Sequence, residues 1–428
     1  MINNILINRT NILIPNFIYY FNFIFLITSG ISISVSQAAL GISIVLCIYA
    51  FCIKHKEIKF FKSGLEKYFL TFFVISTILS FISPSTIENI LYIKDFWLVS
   101  SFIIITTLIK SKDDFYKVFK VIIFIVLFQT LFALIQYSIN FNFMRILKYG
   151  IGHYKAFCFG WLGSFLGNHL TFSGYLMMFA IPLLYLSFLR KKYISLKLLW
   201  LIRISAMLLI LCILFSKTRS IIIALPFAVV PLLINKIKIF LLCFSLIITI
   251  VFLNFGFFES TKSIKQNFRD NIYNSRTAHD RYLIWKNSFR VWKKHPFIGT
   301  GGSNFLNEFK KVIQEHPDDN PNMITHAHND YLNQLARKGI IGFLAFLYML
   351  YGFFKYMVLN IKYINDKVLR YLYLGLFGSY CTFLVASMFQ CFYTDEENLV
   401  MLWFTIGLLV SIVKVEKGIS SIGQNRSL

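Results

Sequence analysis

Charged residues are scarce in this chain of 428 residues: 14% are Asp, Glu, Lys or Arg, while 57% are hydrophobic. A soluble domain of this size cannot bury so much apolar surface. The apolar residues form runs of about twenty, the length that crosses roughly 30 Å of hydrocarbon. The runs do not alternate in polarity, which excludes a transmembrane β-barrel. The composition therefore predicts an all-α polytopic membrane protein.

Acidic residues are fewer than basic ones, 19 against 43, and the formal net charge is +24. In a soluble chain this excess would indicate nucleic-acid binding. Here many basic residues lie in short loops between apolar runs, where the positive-inside rule accounts for them, and no nucleic-acid partner is expected. The seven cysteines are an odd number, and most lie inside apolar runs, so they predict no disulfide framework.

The apolar runs predict about twelve transmembrane helices. They cover residues 12–29, 32–53, 68–83, 87–109, 116–138, 170–189, 198–216, 219–235, 238–257, 339–359, 369–390 and 397–414. No cleavage site follows the first run, so we expect a retained helix. The predicted regions are helices 1–9 in 1–257 with an outside loop at 140–169, a large periplasmic loop with short helices at 258–338, helices 10–12 in 339–414, and a cytoplasmic tail at 415–428.

Short basic loops predict the orientation in the membrane. They cover residues 54–67, 110–114, 190–197, 235–238, 362–370 and 414–417, and alternate threading puts all of them on one side. The positive-inside rule makes that side the cytoplasm, where both termini then lie. The acidic segment 394–398 and the two long loops would lie outside, because long loops cross largely regardless of their charge.

A polar stretch with two histidines precedes one apolar run: "THAHNDYLNQLARKG" covers residues 325–339. Asn329 or Asp330 is expected to cap a short helix that Gly339 ends or redirects. His328 would lie at its N-terminus, where the helix dipole disfavours imidazolium and favours the form that accepts a proton. The alternative is that His326 and His328 only anchor a helix end at the membrane interface.

The segment "FSKTRSIIIAL" places Lys217 and Arg219 at an outside turn between two predicted helices. Basic residues are least expected there under the positive-inside rule. One interpretation is that they reach lipid headgroup phosphates. The other is that they bind an anionic group at the mouth of a cavity, which suits the planar guanidinium group of Arg.

Helical spacing predicts an amphipathic helix in the middle of residues 275–305. One face would carry Arg281, Trp285, Phe289 and Trp292, and another would carry Lys286, Arg290, Lys293 and Lys294. Such a helix is typical of a membrane surface. The glycine-rich turn "HPFIGTGGSNF" follows, and its backbone N–H groups are expected to approach an anion.

Other polar residues give weaker indications. Lys94 and Asp95 form an adjacent pair inside the fourth predicted helix, where they would serve a function or line a cavity. His153, Lys155 and His169 lie in the loop at 140–169 and are candidates for contact with an acceptor.

No metal site is expected. Asp318 and Asp319 are adjacent in a loop and do not form an Asp-x-Asp motif. His326 and His328 have no Cys or third His at a spacing that would complete a zinc site.

These segments resemble the O-antigen ligase/polymerase superfamily of bacterial envelope glycosyltransferases. The family pattern of His, then Asn, Ser or Gln, nine residues, Gly, two residues and a small residue is matched by His328, Asn329, Gly339 and Gly342. Its Arg-x-x-x-Trp segment before His-Pro-x-x-Gly-x-Gly is matched by Arg281, Trp285, His295, Pro296, Gly299 and Gly301. Its Ser-x-Ser-Arg-Gly turn corresponds to Ser216, Lys217, Thr218, Arg219 and Ser220, of which Thr218 and Ser220 depart from the pattern.

The resemblance implies a membrane-embedded inverting glycosyltransferase of the GT-C type in the bacterial inner membrane. The donor would be a glycan on undecaprenyl pyrophosphate, and the acceptor would be lipid A–core or a lipid-linked glycan at the periplasmic face. Arg219 and Arg281 would bind the pyrophosphate, and His328 would be the catalytic residue that deprotonates or orients the acceptor hydroxyl. No cofactor is expected, because electrostatic clamping of the leaving pyrophosphate can replace a metal. Further substrate contacts are expected from Lys217, Arg276, Arg290, His326, Asn329 and Arg337.

Several functions stay open. A ligase transfers the finished polymer to lipid A–core, a polymerase joins lipid-linked repeat units, and a protein O-oligosaccharyltransferase modifies protein. Chain length and the nine-residue spacing favour the ligase. A transporter is disfavoured by the missing internal repeat, the few midplane charges and the large outside loop.

Overall fold

The computed structural model describes residues 2–53, 61–82, 94–144, 146, 162–233, 276–322 and 324–418. Helices dominate these residues, which contain no β-strand. Seven of the helices are long and apolar enough to cross a membrane. The chain is therefore a helical polytopic membrane protein, while the count of twelve spans and the domain bounds stay predictions. The run predicted at 238–257 and most of the loop at 140–169 lie outside the described residues.

The helices have the following bounds. They are α1 (Ile2–Thr28), α2 (Ile33–Cys52), α3 (Glu66–Ile82), α4 (Ser100–Leu108), α5 (Lys112–Ser138), α6 (His169–Ser187), α7 (Leu196–Phe215), α8 (Arg219–Ala224), α9 (Val230–Leu233), α10 (Arg276–Lys294), α11 (Phe305–Glu315), α12 (Asp330–Asn360), α13 (Lys367–Ala386) and α14 (Glu396–Glu416). The helix predicted at 219–235 is helical as far as Leu233, but a 3₁₀ segment, Leu225–Val229, separates α8 from α9. Pro226 lies in the first turn of this segment, and its ring and missing N–H prevent a regular α-helical ladder there.

Two helices form the centre of the bundle. The apolar span of α14 is 94% buried and that of α6 is 83% buried, whereas that of α2 is 33% buried. Aromatic side chains such as Trp403 and Phe353 pack in this centre, with ring centroids 5.5 Å apart. The peripheral helices therefore present their apolar side chains outward, as a bilayer requires.

Basic loops meet at one end of the bundle. Lys112 Nζ, at the start of α5, lies 2.8 Å from Asp366 Oδ2, the N-cap of α13. The same amine lies 3.5 Å from Glu416 Oε1, at the end of α14. These contacts confirm that the basic segments before α5, before α13 and after α14 lie on one side, as alternate threading predicts.

Hydrogen bonds at the opposite end join α6, α12 and the turn before α14. Thr171 Oγ1 donates to Asp395 Oδ2 at 2.7 Å. The backbone N–H of Tyr393 donates to Asp330 Oδ2 at 2.9 Å. The acidic segment 394–398 thus lies across the bundle from the basic loops.

α12 is a broken helix. It begins at Asp330, after the cap residue Asn329, whose side chain accepts the N–H of Leu332 at 3.0 Å. At Gly339 the backbone leaves the helical region, with φ 62° and ψ −171°, and an apolar second half then runs to Asn360. The predicted cap and the predicted break at Gly339 are confirmed.

The glycine-rich turn after α10 binds the end of the first half of α12. The N–H groups of Thr300 and Gly301 donate to the carbonyls of Ala336 and Arg337 at 3.1 and 2.9 Å. The prediction that N–H groups of this turn approach an anion is wrong for Thr300 and Gly301, because their N–H groups already donate to helix carbonyls. Carbonyls at a helix end have no intrahelical partner, and the turn supplies the missing donors.

The same turn also binds the start of the second half. The N–H groups of Ile340 and Ile341 donate to the carbonyls of Pro296 and Phe297 at 2.8 and 3.3 Å. A buried peptide group without a partner costs about 1–3 kcal/mol. The turn therefore joins two half-helices by satisfying backbone groups on both sides of the break.

Close backbone approach explains two glycines at this junction. Gly299 and Gly339 both have positive φ, 71° and 62°. A Cβ atom on Gly299 would overlap the backbone of Arg337, and one on Gly339 would overlap the backbone of Phe297. Only glycine fits both the dihedral angles and the space.

A second, smaller hydrophobic core lies beside the junction. It joins α10, α11 and the start of α12 through Ile284, Val291, Phe305, Phe309, Val312, Ala327 and Ala336. The buried face of α10 includes two polar residues, Asn287 and Ser288, both fully buried. The aromatic face contains Phe289, 42% exposed, so the helix packs through a third face that helical spacing did not predict. Attachment of α10 to a membrane surface stays a prediction.

Candidate active site

The turn before α12 holds both histidines of the polar stretch. Ala327 between them is fully buried in the small core. His328 has φ 48°, a left-handed conformation that few non-glycine residues adopt. Its backbone N–H donates to His326 Nδ1 at 3.1 Å, and the two rings lie 4.2 Å apart at 62°. Such a conformation persists only where the surroundings hold it, and here the neighbouring imidazole contributes.

Gln390 faces the ring of His328. His328 Nδ1 lies 3.0 Å from Gln390 Oε1, and the glutamine is 7% exposed in the turn between α13 and α14. This turn is tied to α12 at two points. The Asp330 N–H donates to the Ser387 carbonyl at 2.8 Å, and Asp330 Oδ2 accepts the N–H of Tyr393 at 2.9 Å. Gln390 is not among the site residues that the sequence predicts.

Arg219 begins α8 and is exposed. Thr218 before it is buried, accepts a hydrogen bond from Ser173 Oγ at 2.7 Å and donates to the His169 carbonyl at 3.3 Å. Lys217 is exposed and has φ 55°. The hydroxyl contacts fix the turn against the start of α6, while its two basic side chains remain accessible.

Arg281, on α10, interacts electrostatically with Arg219 and with His328. Burial and then the charge of Arg219 lower the pKa of Arg281. Burial also lowers the pKa of His328, the hydrogen bond with Gln390 raises it, and the charge of Arg281 lowers it again. The pKa of His326 falls to about 3, mainly through burial. Arg281 therefore lies within electrostatic reach of both Arg219 and His328, and both imidazoles are neutral at neutral pH.

Among the described residues, no carboxylate pairs with Arg219 or Arg281. In the part of the chain that the structure describes, no salt bridge involves Arg219 or Arg281, whereas Arg290 of the same helix pairs with Asp319 at 2.7 Å. Two uncompensated guanidinium groups repel each other, and an anion between them would remove that repulsion. The arrangement is suited to a phosphate or pyrophosphate ligand.

The remaining predicted contact residues differ in position. Arg337 is buried, with its guanidinium carbon 5.0 Å from the centre of the Phe305 ring. Asn329 acts as the cap of α12. Arg290 is engaged by Asp319, so it is not available in the way that Arg281 is. The side chain of Arg276 lies outside the described residues.

Several other candidates cannot be placed at the site. His153 and Lys155 lie outside the described residues, as do the side chains of Lys94 and Asp95, which begin a 3₁₀ turn. Among the described residues, no group of three His, Cys, Asp or Glu side chains could hold a metal ion.

The segment that contains these residues is similar to a known protein family. Residues 204–347 match the family model described as O-antigen ligase, a segment that contains Arg219, Arg281 and His328. The match covers about a third of the chain and supports a relationship to the O-antigen ligase/polymerase superfamily. The match and the seven apolar helices together support a multi-pass membrane protein with a ligase- or polymerase-type function. No curated protein matches the chain.

Proposed function

We propose that this protein is an O-antigen ligase of the bacterial inner membrane. It transfers a glycan from undecaprenyl pyrophosphate to a sugar hydroxyl of lipid A–core at the periplasmic face, with inversion at the anomeric carbon. The observation that carries the proposal is the position of Arg281 near both Arg219 and His328, which combines uncompensated positive charge with a neutral imidazole. The family match over residues 204–347 supports it.

The arginines bind the pyrophosphate. Guanidinium groups donate paired hydrogen bonds to phosphate oxygens and keep their charge when partly buried. Arg219 and Arg281 come from different helices, so they grip the diphosphate from two sides. Their charge also stabilises the leaving group as the glycosidic bond breaks, which is the task a divalent cation performs in other transferases.

His328 is the general base. A neutral imidazole accepts the proton of the acceptor hydroxyl while that oxygen attacks the anomeric carbon. The new bond joins the acceptor oxygen to this carbon, and the bond from the carbon to the phosphate oxygen breaks on the opposite face. Undecaprenyl pyrophosphate leaves, and His328 then releases the proton to water.

The site lies at the end of the bundle that also holds the acidic segment 394–398. By the positive-inside rule this end faces the periplasm and both termini face the cytoplasm. A cysteine-labelling experiment tests this orientation. A new cysteine at His316, which is exposed, should react with an impermeant thiol reagent in intact spheroplasts. A new cysteine at Lys112, which is 49% exposed, should not react unless the membrane is opened.

Reconstituted protein distinguishes the ligase from the polymerase. Purified protein in lipid nanodiscs receives one lipid-linked donor with either lipid A–core or a second lipid-linked repeat unit. The ligase proposal predicts glycosylated lipid A–core and no lengthened carrier-linked glycan. Lengthened carrier-linked glycan would establish the polymerase, which the same three residues also support, and no product with either acceptor would overturn both. Activity in EDTA is expected to equal activity without it.

A variant pair tests the general base. His328→Gln is expected to lower the transfer rate about 10²–10⁴-fold, the usual contribution of general base catalysis. The matched control is His316→Gln, an exposed histidine at the end of α11, which should retain the full rate. A His328→Gln enzyme within threefold of wild type would remove this residue from the chemistry.

A further inference from the structure

The contact between His328 and Gln390 has a defined chemical polarity. The carbonyl oxygen of a glutamine side chain accepts hydrogen bonds and cannot donate them. Gln390 Oε1 lies 3.0 Å from His328 Nδ1, so the hydrogen between them belongs to the ring. A neutral imidazole carries one proton, and its other nitrogen, Nε2, then holds the lone pair.

The surroundings keep this contact in place. Gln390 is 7% exposed, and the turn that carries it is bound to Asp330 at both Ser387 and Tyr393. The adjacent ring of Phe389 lies 6.4 Å from that of Trp285 on α10. On the other side, His328 donates its backbone N–H to His326. The ring and its amide partner are therefore held by separate parts of the chain.

We propose that Gln390 is a positioning residue that keeps His328 in the Nδ1–H tautomer and leaves the Nε2 lone pair for the acceptor hydroxyl. This role rests on the proposed function, because it gives the general base its orientation. Only one of the two neutral tautomers presents a lone pair at Nε2, so loss of the contact would leave part of the enzyme inactive.

The choice of an amide has a second physical reason. A carboxylate at this position would also accept from Nδ1–H, but it would stabilise imidazolium and raise the pKa of His328. It would also introduce a negative charge beside Arg281 and compete with the pyrophosphate. Among the described titratable and charged groups, Arg281 and His326 interact with His328, and Arg219, Asp330, Arg337 and Cys391 interact with these two or with each other. A neutral partner fixes the tautomer without adding to this set.

Kinetics of two Gln390 variants test the proposal. Gln390→Leu removes the acceptor and should lower kcat about 10- to 100-fold while the KM for donor stays constant. Gln390→Glu keeps the acceptor and should recover activity above Gln390→Leu, with a higher KM for donor and an acidic limb of the pH profile at higher pH. The control Gln37→Leu removes the amide that donates to Glu396 at 2.6 Å, at the same end of the bundle, and should match wild type.

Equal losses in Gln390→Leu and Gln390→Glu at every pH would overturn the proposal, because a structural role alone explains them. A Gln390→Leu enzyme with wild-type kcat would overturn it as well.

Magnetic resonance tests the tautomer without any glycan substrate. In protein labelled with ¹⁵N-histidine, the signals that disappear in His328→Gln belong to this ring. We expect a protonated Nδ1 and an unprotonated Nε2 in the wild type, and a mixture of both tautomers in Gln390→Leu. The reverse protonation in the wild type would overturn the proposal. This result stands even where the chain transfers no glycan, so the two failures are distinguishable.

Discussion

The basic-loop end of the helix bundle and the pair Arg219 and Arg281 differ in how their positive charge is compensated. At the basic-loop end, Lys112 pairs with Asp366 and Glu416, and Lys417 Nζ donates to Asn360 Oδ1 at 2.9 Å. At the other end, Arg219 and Arg281 lie near each other with no carboxylate salt bridge in the described residues. The ion pairs of the basic loops hold helix ends together, whereas the two neighbouring arginines repel each other until an anionic ligand neutralises them. This difference distinguishes the structural contacts of the basic loops from the arginines of the proposed active site.

Backbone conformation follows the same division. The non-glycine residues with positive φ in the described chain are Asn140, Ser164, Lys217 and His328. All of them lie outside the α-helices, at the end that holds the histidines. Strained backbone is commonly retained at functional sites, where surrounding contacts offset its cost. The two basic or imidazole side chains in this group are both candidates for substrate contact.

The largest expected effect separates two arginines of α10. Arg281→Ala should lower the transfer rate about 10²–10³-fold, the usual loss when one preorganised donor to developing charge is removed. Arg290→Ala removes a residue whose charge Asp319 already compensates, so its rate should stay within threefold of wild type. Initial rates at saturating acceptor over a range of donor concentrations provide the measurement. Similar losses in both variants would show that charge compensation does not distinguish them.

The next effect is on stability. Gly299→Ala should lower the free energy of unfolding by about 2–5 kcal/mol, because a left-handed alanine is strained and its Cβ overlaps the backbone of Arg337. Gly41→Ala in α2 is the control, since a Cβ there meets nothing within 4 Å. It should be stabilising by about 0.5–1 kcal/mol. Reversible unfolding in mixed detergent, followed by tryptophan fluorescence, would measure both. Equal stability of the two variants would contradict the close approach.

A smaller effect concerns pH. Burial and the charge of Arg281 lower the pKa of His328. The imidazole therefore stays mostly neutral in solution at pH of about 6.5, where an ordinary histidine is half protonated. The base works when neutral and is lost by protonation. The transfer rate should therefore be constant down to pH of about 6.5 and should decrease at lower pH. In Arg281→Gln, the residual rate should lose its plateau at a higher pH. A wild-type rate that already declines on passing below neutral pH would count against this environment.

The smallest effect belongs to the basic-loop end. Asp366→Asn keeps the side-chain oxygen that accepts the N–H groups of Val368 and Leu369 at 2.9 and 3.0 Å. It removes only the ion pair with Lys112, which is 49% exposed. The expected loss of stability is below about 1 kcal/mol, and the transfer rate should not change. A tenfold loss of rate would show that the two ends are coupled.

Local chemistry made part of the site predictable. The cap at Asn329 and the break at Gly339 follow from the preferences of Asn at helix starts and of Gly at helix ends. The positive-inside rule found Arg219 through its unexpected place at an outside turn. The resemblance added Arg281, whose position near Arg219 depends on contacts between distant segments.

Long-range contacts set the limit of prediction. Gln390 is 62 residues from His328, and its only sequence signal is an amide in the apolar segment 388–393. The glycine turn was interpreted as an anion site because its true partners, carbonyls of α12, are 36 residues away for Thr300 and Gly301. The buried face of α10 includes the polar residues Asn287 and Ser288. The pattern of polar and apolar residues therefore did not predict which face is buried. Spacing within one helix does not show which face a distant segment will cover.

The junction at Gly339 also connects the proposed active site to the apolar span. The second half of α12 is the apolar part, and the turn 296–301 is hydrogen bonded to both halves. A bilayer thinner or thicker than the apolar length of this span changes its tilt. Because no flexible linker intervenes, we expect the tilt to reach the histidine turn directly. Transfer rates in nanodiscs of different acyl-chain length should therefore pass through an optimum, because a change in the tilt of the span displaces the histidine turn at its end.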